Sequence, residues 1–300
     1  MIDNHQDGRP HVKGFYEKRS GSIQYVVADP QTKKCAIVDP VWDFDPSSGC
    51  TATWSADEIL GYIAKQRYDL EWILDTHPHA DHFSAAGYLK DKTGVPTAIG
   101  ERVIGIQKLW QKIYNAERCC PADGSQWDRL FADGDRFKIG ALDAVVMLTP
   151  GHTLASITYV IGNAAFVHDT LFMPDGGTAR ADFPGGSACD LWTSIQRILA
   201  LSDDTRLFTG HDYRPGGREP KWESSVKQQK SENIDLQKAA TESAFIALRE
   251  AKDKMLPMPK LILPSLQVNL MGGRLPDPED NGKRYLKIPL DAFGHVPWSE

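Results

Sequence analysis

Three histidines and an aspartate fall within six residues, His77, His79, Asp81 and His82, directly after the run LEWILDT. A short apolar run bounded by polar residues predicts a buried strand, so these four ligand-type side chains stand on the turn at a strand end. In extended backbone alternate residues point the same way, which lets His77 and His79 face one ion while Asp81 and His82 turn toward a neighbouring position. Packed together without a metal, three imidazoles and a carboxylate would each need hydrogen-bond partners, a demand that an ordinary polar turn does not meet.

Two further histidines and an aspartate share this placement. His152 follows Thr149, Pro150 and Gly151 at the end of DAVVMLTPGH; Pro150 fixes the approach, and Gly151 is expected to let the backbone come close to the site. Asp169 closes AAFVHD, and His211 lies near the end of RLFTGHDY. Singly, each has an ordinary structural explanation. In this order, and all at strand ends, they are not independent of the first cluster.

The rest of the chain supplies the frame. IQYVVAD and CAIVDP flank the polar turn DPQTKK and read as a β-hairpin, followed by a loop rich in Pro, Asp and Gly. Ser55 and Glu58 form a capping box before a helix whose apolar face is Ile59, Leu60 and Ile63. A helix over 83–92 ends at Gly94, a strand lies near Thr97, and Val103, Ile106, Leu109, Trp110 and Ile113 mark an amphipathic helix. Four strands follow between Phe137 and Asp169, then a helix over 190–201 and the strand that reaches His211. Beyond Pro220 the pattern predicts two charged helices, 221–233 and 241–255, and a Pro-rich tail.

Composition limits what such a frame does. The 300 residues suffice for one α/β unit or two smaller domains, and 41% hydrophobic with 25% charged residues is a globular balance. With 34 basic against 40 acidic residues the net charge is -6, which removes nucleic acid and anionic membranes as default partners. No apolar run reaches the ~20 residues of a membrane span, and the start MIDNHQDGRP lacks signal-peptide character, so a cytoplasmic location is expected. The five cysteines are irregularly spaced and read as reduced thiols. Cys119 and Cys120 lack the intervening residues of a zinc or redox pair, and Cys189 is expected to pack.

Taken in order, THPHADH, TPGHT, HDT and GHDY resemble the metallo-β-lactamase superfamily over Ile23 to Tyr213. The resemblance implies an α/β (α+β) fold, an αββα sandwich with the metal site at one edge between the sheets. It further implies a catalytic domain over 1–214 and a C-terminal helical and Pro-rich extension, 215–300, packed on the core and either covering the site or lying at a dimer interface. A homodimer or higher homo-oligomer is expected. Within the superfamily, LFMPDGGTARADFPGG, HDYRPGGRE, ILPSLQVNL and RYLKIPL are similar to the bacterial persulfide dioxygenases of the beta-lactamase-like hydrolase type.

That similarity implies one Fe(II) per chain held by His77, His152 and Asp169, with three positions left for substrate and O2. His79, Asp81, His82 and His211 then orient ligands or hold protons. The same residues also suit two zinc ions bridged by Asp169, as in glyoxalase II, and spacing does not choose between the occupancies. The implied reaction oxidises glutathione persulfide with O2 and water to sulfite and glutathione. A zinc thioester hydrolase and a noncatalytic metal or sulfur sensor are the alternatives. For the carboxylates of glutathione the nearby cations are Arg180, Arg214, Arg218 and Lys221, with Tyr213 beside His211. Two positions depart from the family pattern. His168 stands where many relatives carry Gly, and GTARADF replaces GCGRTDF.

Overall fold

The computed structural model describes residues 8–117 and 120–292; Cys119 lies outside them. The chain begins with β1 (His11–Tyr16), β2 (Ile23–Ala28) and β3 (Lys34–Val38). β2 and β3 form the expected hairpin, with Tyr25 opposite Val38. The segment expected as a loop instead forms a second hairpin, β4 (Val41–Asp45) and β5 (Cys50–Ala52), turned by Asp45 accepting the Ser48 amide at 3.0 Å.

α1 (Trp54–Gln66) follows, but its capping box does not form. Asp43 of β4 accepts both the Ser55 amide (2.9 Å) and its hydroxyl (2.8 Å). A carboxylate delivered by tertiary packing is a stronger acceptor for these donors than the local neutral cap. The first half continues through β6 (Asp69–Leu74), β7 (Phe83–Ser84), α2 (Ala86–Thr93), β8 (Thr97–Gly100), α3 (Val103–Tyr114) and β9 (Arg129–Phe131). Its sheet has the order β1-β2-β3-β6-β8-β9, parallel from β3 onward. β4, β5 and β7 make a small separate sheet.

The second half contains β10 (Arg136–Ile139), β11 (Leu142–Leu148), β12 (Ile157–Ile161), β13 (Ala164–His168), α4 (Ala188–Leu199) and β14 (Arg206–Thr209). The segment 215–300 adds β15 (Glu223–Ser225), α5 (Val226–Glu232), α6 (Ile234–Lys238), α7 (Glu242–Asp253) and α8 (Ile262–Asn269). β15 pairs antiparallel with β14 and completes the sheet β10-β11-β12-β13-β14-β15. Where one helix over 221–233 was expected, Trp222 passes its carbonyl to Thr209 and the chain stays extended to Ser225. ILPSLQVN, expected in the tail, is helical because Ile262, Leu266 and Leu270 share one buried face.

The sheets stack face to face. Tyr25, Val38, Leu74 and Phe131 of the first pack against Val146, Tyr159, Phe166 and Phe208 of the second. Outside, Ile59, Ile63 and Leu89 of α1 and α2 cover the first sheet, and Leu191, Ile195 and Phe245 of α4 and α7 cover the second. Strands covered on both faces need no polar side, which explains why all six residues of β2 are buried. The result is the αββα arrangement, with the ends of β6, β13 and β14 at one edge.

Candidate metal centre

β3 and β6 lie side by side and parallel, so Asp39, just past one, reaches the turn after the other. It accepts the Thr76 amide at 2.7 Å and the Thr76 hydroxyl at 2.8 Å. With that proton committed, Thr76 Oγ1 accepts from His77 Nδ1 (3.0 Å), which leaves the lone pair of His77 on Nε2. His152 is fixed likewise: its Nδ1 donates to the Arg180 carbonyl at 2.9 Å.

His77 Nε2 and His152 Nε2 lie 3.8 and 3.7 Å from Asp169 Oδ2. These separations exceed hydrogen bonds but fit two ligands around one ion, each about 2.1 Å from it. His77 Nε2 has no hydrogen-bond partner although it is buried. Two neutral imidazole nitrogens and a carboxylate oxygen, all within 4.8 Å of one another, fit a metal cation. Burial, with His79, His168 and His152 nearby, pushes His77 well below its ordinary value, and burial also lowers His152 despite Asp169. Both therefore stay neutral, the form that binds metal.

A second group lies alongside: His79, Asp81 and His82, again with ligand atoms within 4.8 Å. His79 Nε2 sits 3.1 Å from Asp39 Oδ1, and the rings of His79 and His82 are 4.1 Å apart. His211 lies between two carboxylates, with Nδ1 2.5 Å from Asp169 Oδ1 and Nε2 against Asp81. Burial opposes charge on His211, but Asp169 and Asp81 outweigh it and raise its pKa well above the usual value. Burial likewise opposes charge on Asp81, yet His211 and His82 hold it well below the carboxylate range. Ser22 Oγ, 2.9 Å from both His82 Nδ1 and His211 Nε2, ties this side to the first sheet.

Gly210 is required at its place, because a Cβ there would meet Asp169 Oδ1 at 2.7 Å. Gly151 serves a different end from the one expected. Its φ is +135°, and a Cβ would meet the Leu191 backbone at 2.3 Å, so the close approach is to α4 rather than to the histidine and aspartate cluster. His168 adopts the left-handed region (φ 41°), and its ring packs 5.1 Å from His77. Its Nε2 lies 3.0 Å from Thr170 Oγ1 and 3.2 Å from Thr149 Oγ1. Sequence reasoning passed over Asp39, Asp75, Thr76 and Ser22. Asp39 and Asp75 carried a signal, since each also follows an apolar strand run.

A cavity of about 950 Å³ opens on the centre, lined by His82, His152, Asp169, Arg180, Tyr213 and apolar residues including Phe44, Phe172 and Met258. Arg180 lines it with three of its five N–H donors engaged: Asp182 accepts from Nε and Nη2 at 2.6 and 2.8 Å, and the Pro257 carbonyl accepts from Nη1 at 2.7 Å. Tyr213 is 62% exposed at the mouth and stacks on His211 at 5.6 Å. Arg214, Arg218 and Lys221 do not line the cavity. The Arg218 guanidinium holds Asp175 and Asp212, and Arg214 Nε donates to the Arg218 carbonyl, so these cations brace the loop around them. Cys189 does not pack inside; it is exposed and 3.3 Å from Glu242 Oε1, which raises its pKa.

Stacked sheets flanked by helices, with histidines and aspartates gathered at the strand ends, define an αββα protein with a candidate metal site. The pattern of the Metallo-beta-lactamase superfamily matches residues 21–211, and the chain belongs to that superfamily. It is 65% identical to the Beta-lactamase hydrolase-like protein of Agrobacterium fabrum (strain C58) over 96% of this chain and 67% of that protein. The crystal structure of ETHE1 from Myxococcus xanthus superposes with a TM-score of 0.70 and 27% identity, covering 88% of this chain and 100% of that one. A Hydroxyacylglutathione hydrolase of Rhodopseudomonas palustris (strain HaA2) is 36% identical over 56% of this chain and 60% of that protein. Among the described residues no helix is long and apolar enough to cross a membrane.

Proposed function

We propose that the chain is an iron-dependent persulfide dioxygenase that converts glutathione persulfide, O2 and water to glutathione and sulfite. The observation that carries this reading is the donor set: His77 and His152 present neutral Nε2 atoms and Asp169 one oxygen to a shared space. Of the neighbouring imidazoles, His79 lies against Asp39 and His211 against Asp81. Two imidazoles and a carboxylate are the set that holds ferrous iron with positions left open. The motif resemblance to persulfide dioxygenases and the likeness to ETHE1 along that whole chain support the reading.

In the overall reaction the sulfur–sulfur bond breaks. The terminal sulfur is oxidised and leaves as sulfite with both atoms of O2 and one oxygen from water, the inner sulfur takes up one of the three protons of persulfide and water to become the thiol, and the other two are released. Bound Fe(II) supplies the electron transfer between sulfur and O2. The protein's share is geometric. Thr76 and the Arg180 carbonyl hold the two imidazoles in their binding tautomers, and His211 occupies the second oxygen of Asp169. Phe44, Phe172 and Met258 give the substrate arm an apolar wall. Of the lysines and arginines lining the cavity, Arg19, Arg180, Arg249 and Lys252 are paired with carboxylates, and Lys260, with no ion pair among the described residues, is available to a carboxylate of glutathione.

The His79, Asp81 and His82 group favours one second reading, a dinuclear zinc hydrolase of glutathione thioesters, as does the likeness to hydroxyacylglutathione hydrolase. Metal analysis with oxygen uptake on glutathione persulfide separates the two. One iron per chain with oxygen uptake supports the dioxygenase; two zinc ions with thioester hydrolysis overturn it.

A further inference from the structure

The turn that carries the second group of ligands is held from behind by a residue 190 positions further along the chain. Asn269, the last residue of α8 and 2% exposed, donates from Nδ2 to the carbonyls of His79 (2.7 Å) and His82 (2.8 Å). Its Oδ1 accepts the Ser84 amide at 2.7 Å. Two carbonyls facing one end of the amide and an N–H facing the other permit a single orientation of the side chain. One residue therefore spans the segment from His79 to Ser84, with Asp81 inside it.

The surrounding contacts make the same join. Ala80, in the middle of the turn, packs in one cluster with Ile262, Leu266 and Leu270. A Cβ on Gly273 would meet the Ser84 carbonyl at 2.6 Å, and one on Gly87 would meet the Gly273 carbonyl at 2.9 Å, so the two backbones lie against each other. Ser84 in turn donates its hydroxyl to Asp75 Oδ1 at 2.9 Å. An apolar side chain at 269 would leave two buried carbonyls and a buried N–H without partners. The supporting residues Ile262, Leu266, Asn269, Leu270 and Gly273 lie beyond residues 21–211, the part that matches the superfamily pattern.

We propose that Asn269 is a positioning residue of the metal centre: α8 sets the backbone path of residues 79–84 and thereby the directions of His79, Asp81 and His82. The proposal holds whichever metal the centre binds and does not depend on the dioxygenase reading. Its test is metal affinity, measured with zinc or ferrous ion against a competing chelator. Asn269→Asp keeps the shape but sets a carboxylate against two carbonyls, and Asn269→Ala removes all three bonds. Gln267→Ala, on the same helix but bonded to Lys287, is the control.

Affinity is expected to fall about 10–100-fold in both Asn269 variants and to hold in the control. In cobalt-substituted protein the visible absorption of the variants is expected to shift, which loss of helix stability alone would not produce. Folded variants that bind metal as the parent does, with an unchanged spectrum, overturn the proposal. Hydrogen exchange on the unaltered protein decides the matter if neither variant folds. Metal loading should slow exchange in 79–84 and 262–270 together, and slowing confined to 79–84 overturns it.

Discussion

Asp169 gives one carboxylate oxygen to His211, Oδ1 to Nδ1 at 2.5 Å, and turns the other toward His77 and His152. The pair thus divides the carboxylate between a proton-bearing imidazole and the candidate metal position. His211→Ala frees Oδ1 and leaves Asp169 and Asp81 facing each other without the intervening cation. Metal affinity is expected to fall about 10–100-fold, read by chelator competition. The metal-free protein should lose about 3–5 kcal/mol in denaturant unfolding, the cost of stripping one partner from a buried ion pair. Unchanged affinity would show that Asp169 is aimed by the β13 backbone alone.

Burial pushes His168 down to about 3, outweighing Asp169, which acts to raise it. The folded state keeps this ring neutral through a range in which the unfolded chain takes up a proton, starting near the ordinary value of about 6.5. Unfolding therefore binds a proton in this window, and stability falls as pH drops from about 6.5 toward 3. His168→Asn removes that contribution. In metal-free protein the acid-side slope of unfolding free energy against pH should become shallower by about 1.4 kcal/mol per pH unit. Parallel slopes for parent and variant would mean that His168 is protonated in the fold.

Tyr213 stands at the cavity mouth with its ring on His211 and an edge contact to Phe172 at 5.5 Å, and its hydroxyl makes no hydrogen bond among the described residues. Tyr213→Phe keeps both ring contacts. The melting temperature is expected to hold, while KM for the glutathione persulfide rises by up to about tenfold, the worth of one hydrogen bond to substrate. An unchanged KM would place the substrate elsewhere in the cavity.

Much of the site was legible because its signals are local. The alternation and apolar runs around His77, His152, Asp169 and His211 place each at a strand end, and the structure brings all four together. The hairpin across DPQTKK and the helix end at Gly94 were equally local, as turn chemistry and a left-handed C-cap require. Predictions that needed knowledge of partners fared differently. Ser55 and Glu58 had the right spacing for a capping box, but Asp43 arrives from β4 and takes the donors. Arg180 and Arg218 were expected as cations for the substrate carboxylates; in the fold Asp182 pairs with Arg180, which lines the cavity, and Asp175 and Asp212 pair with Arg218, which does not.

Residue type and strand period act over a few neighbouring residues, so the supply of metal-suited side chains and their placement at strand ends were readable locally. Their orientations come from packing between distant segments: Thr76 and the Arg180 carbonyl choose tautomers, His211 claims half of Asp169, and Asn269 reaches the turn from α8. Buried polar groups must find partners wherever packing supplies them, and packing joins residues that lie far apart in the chain.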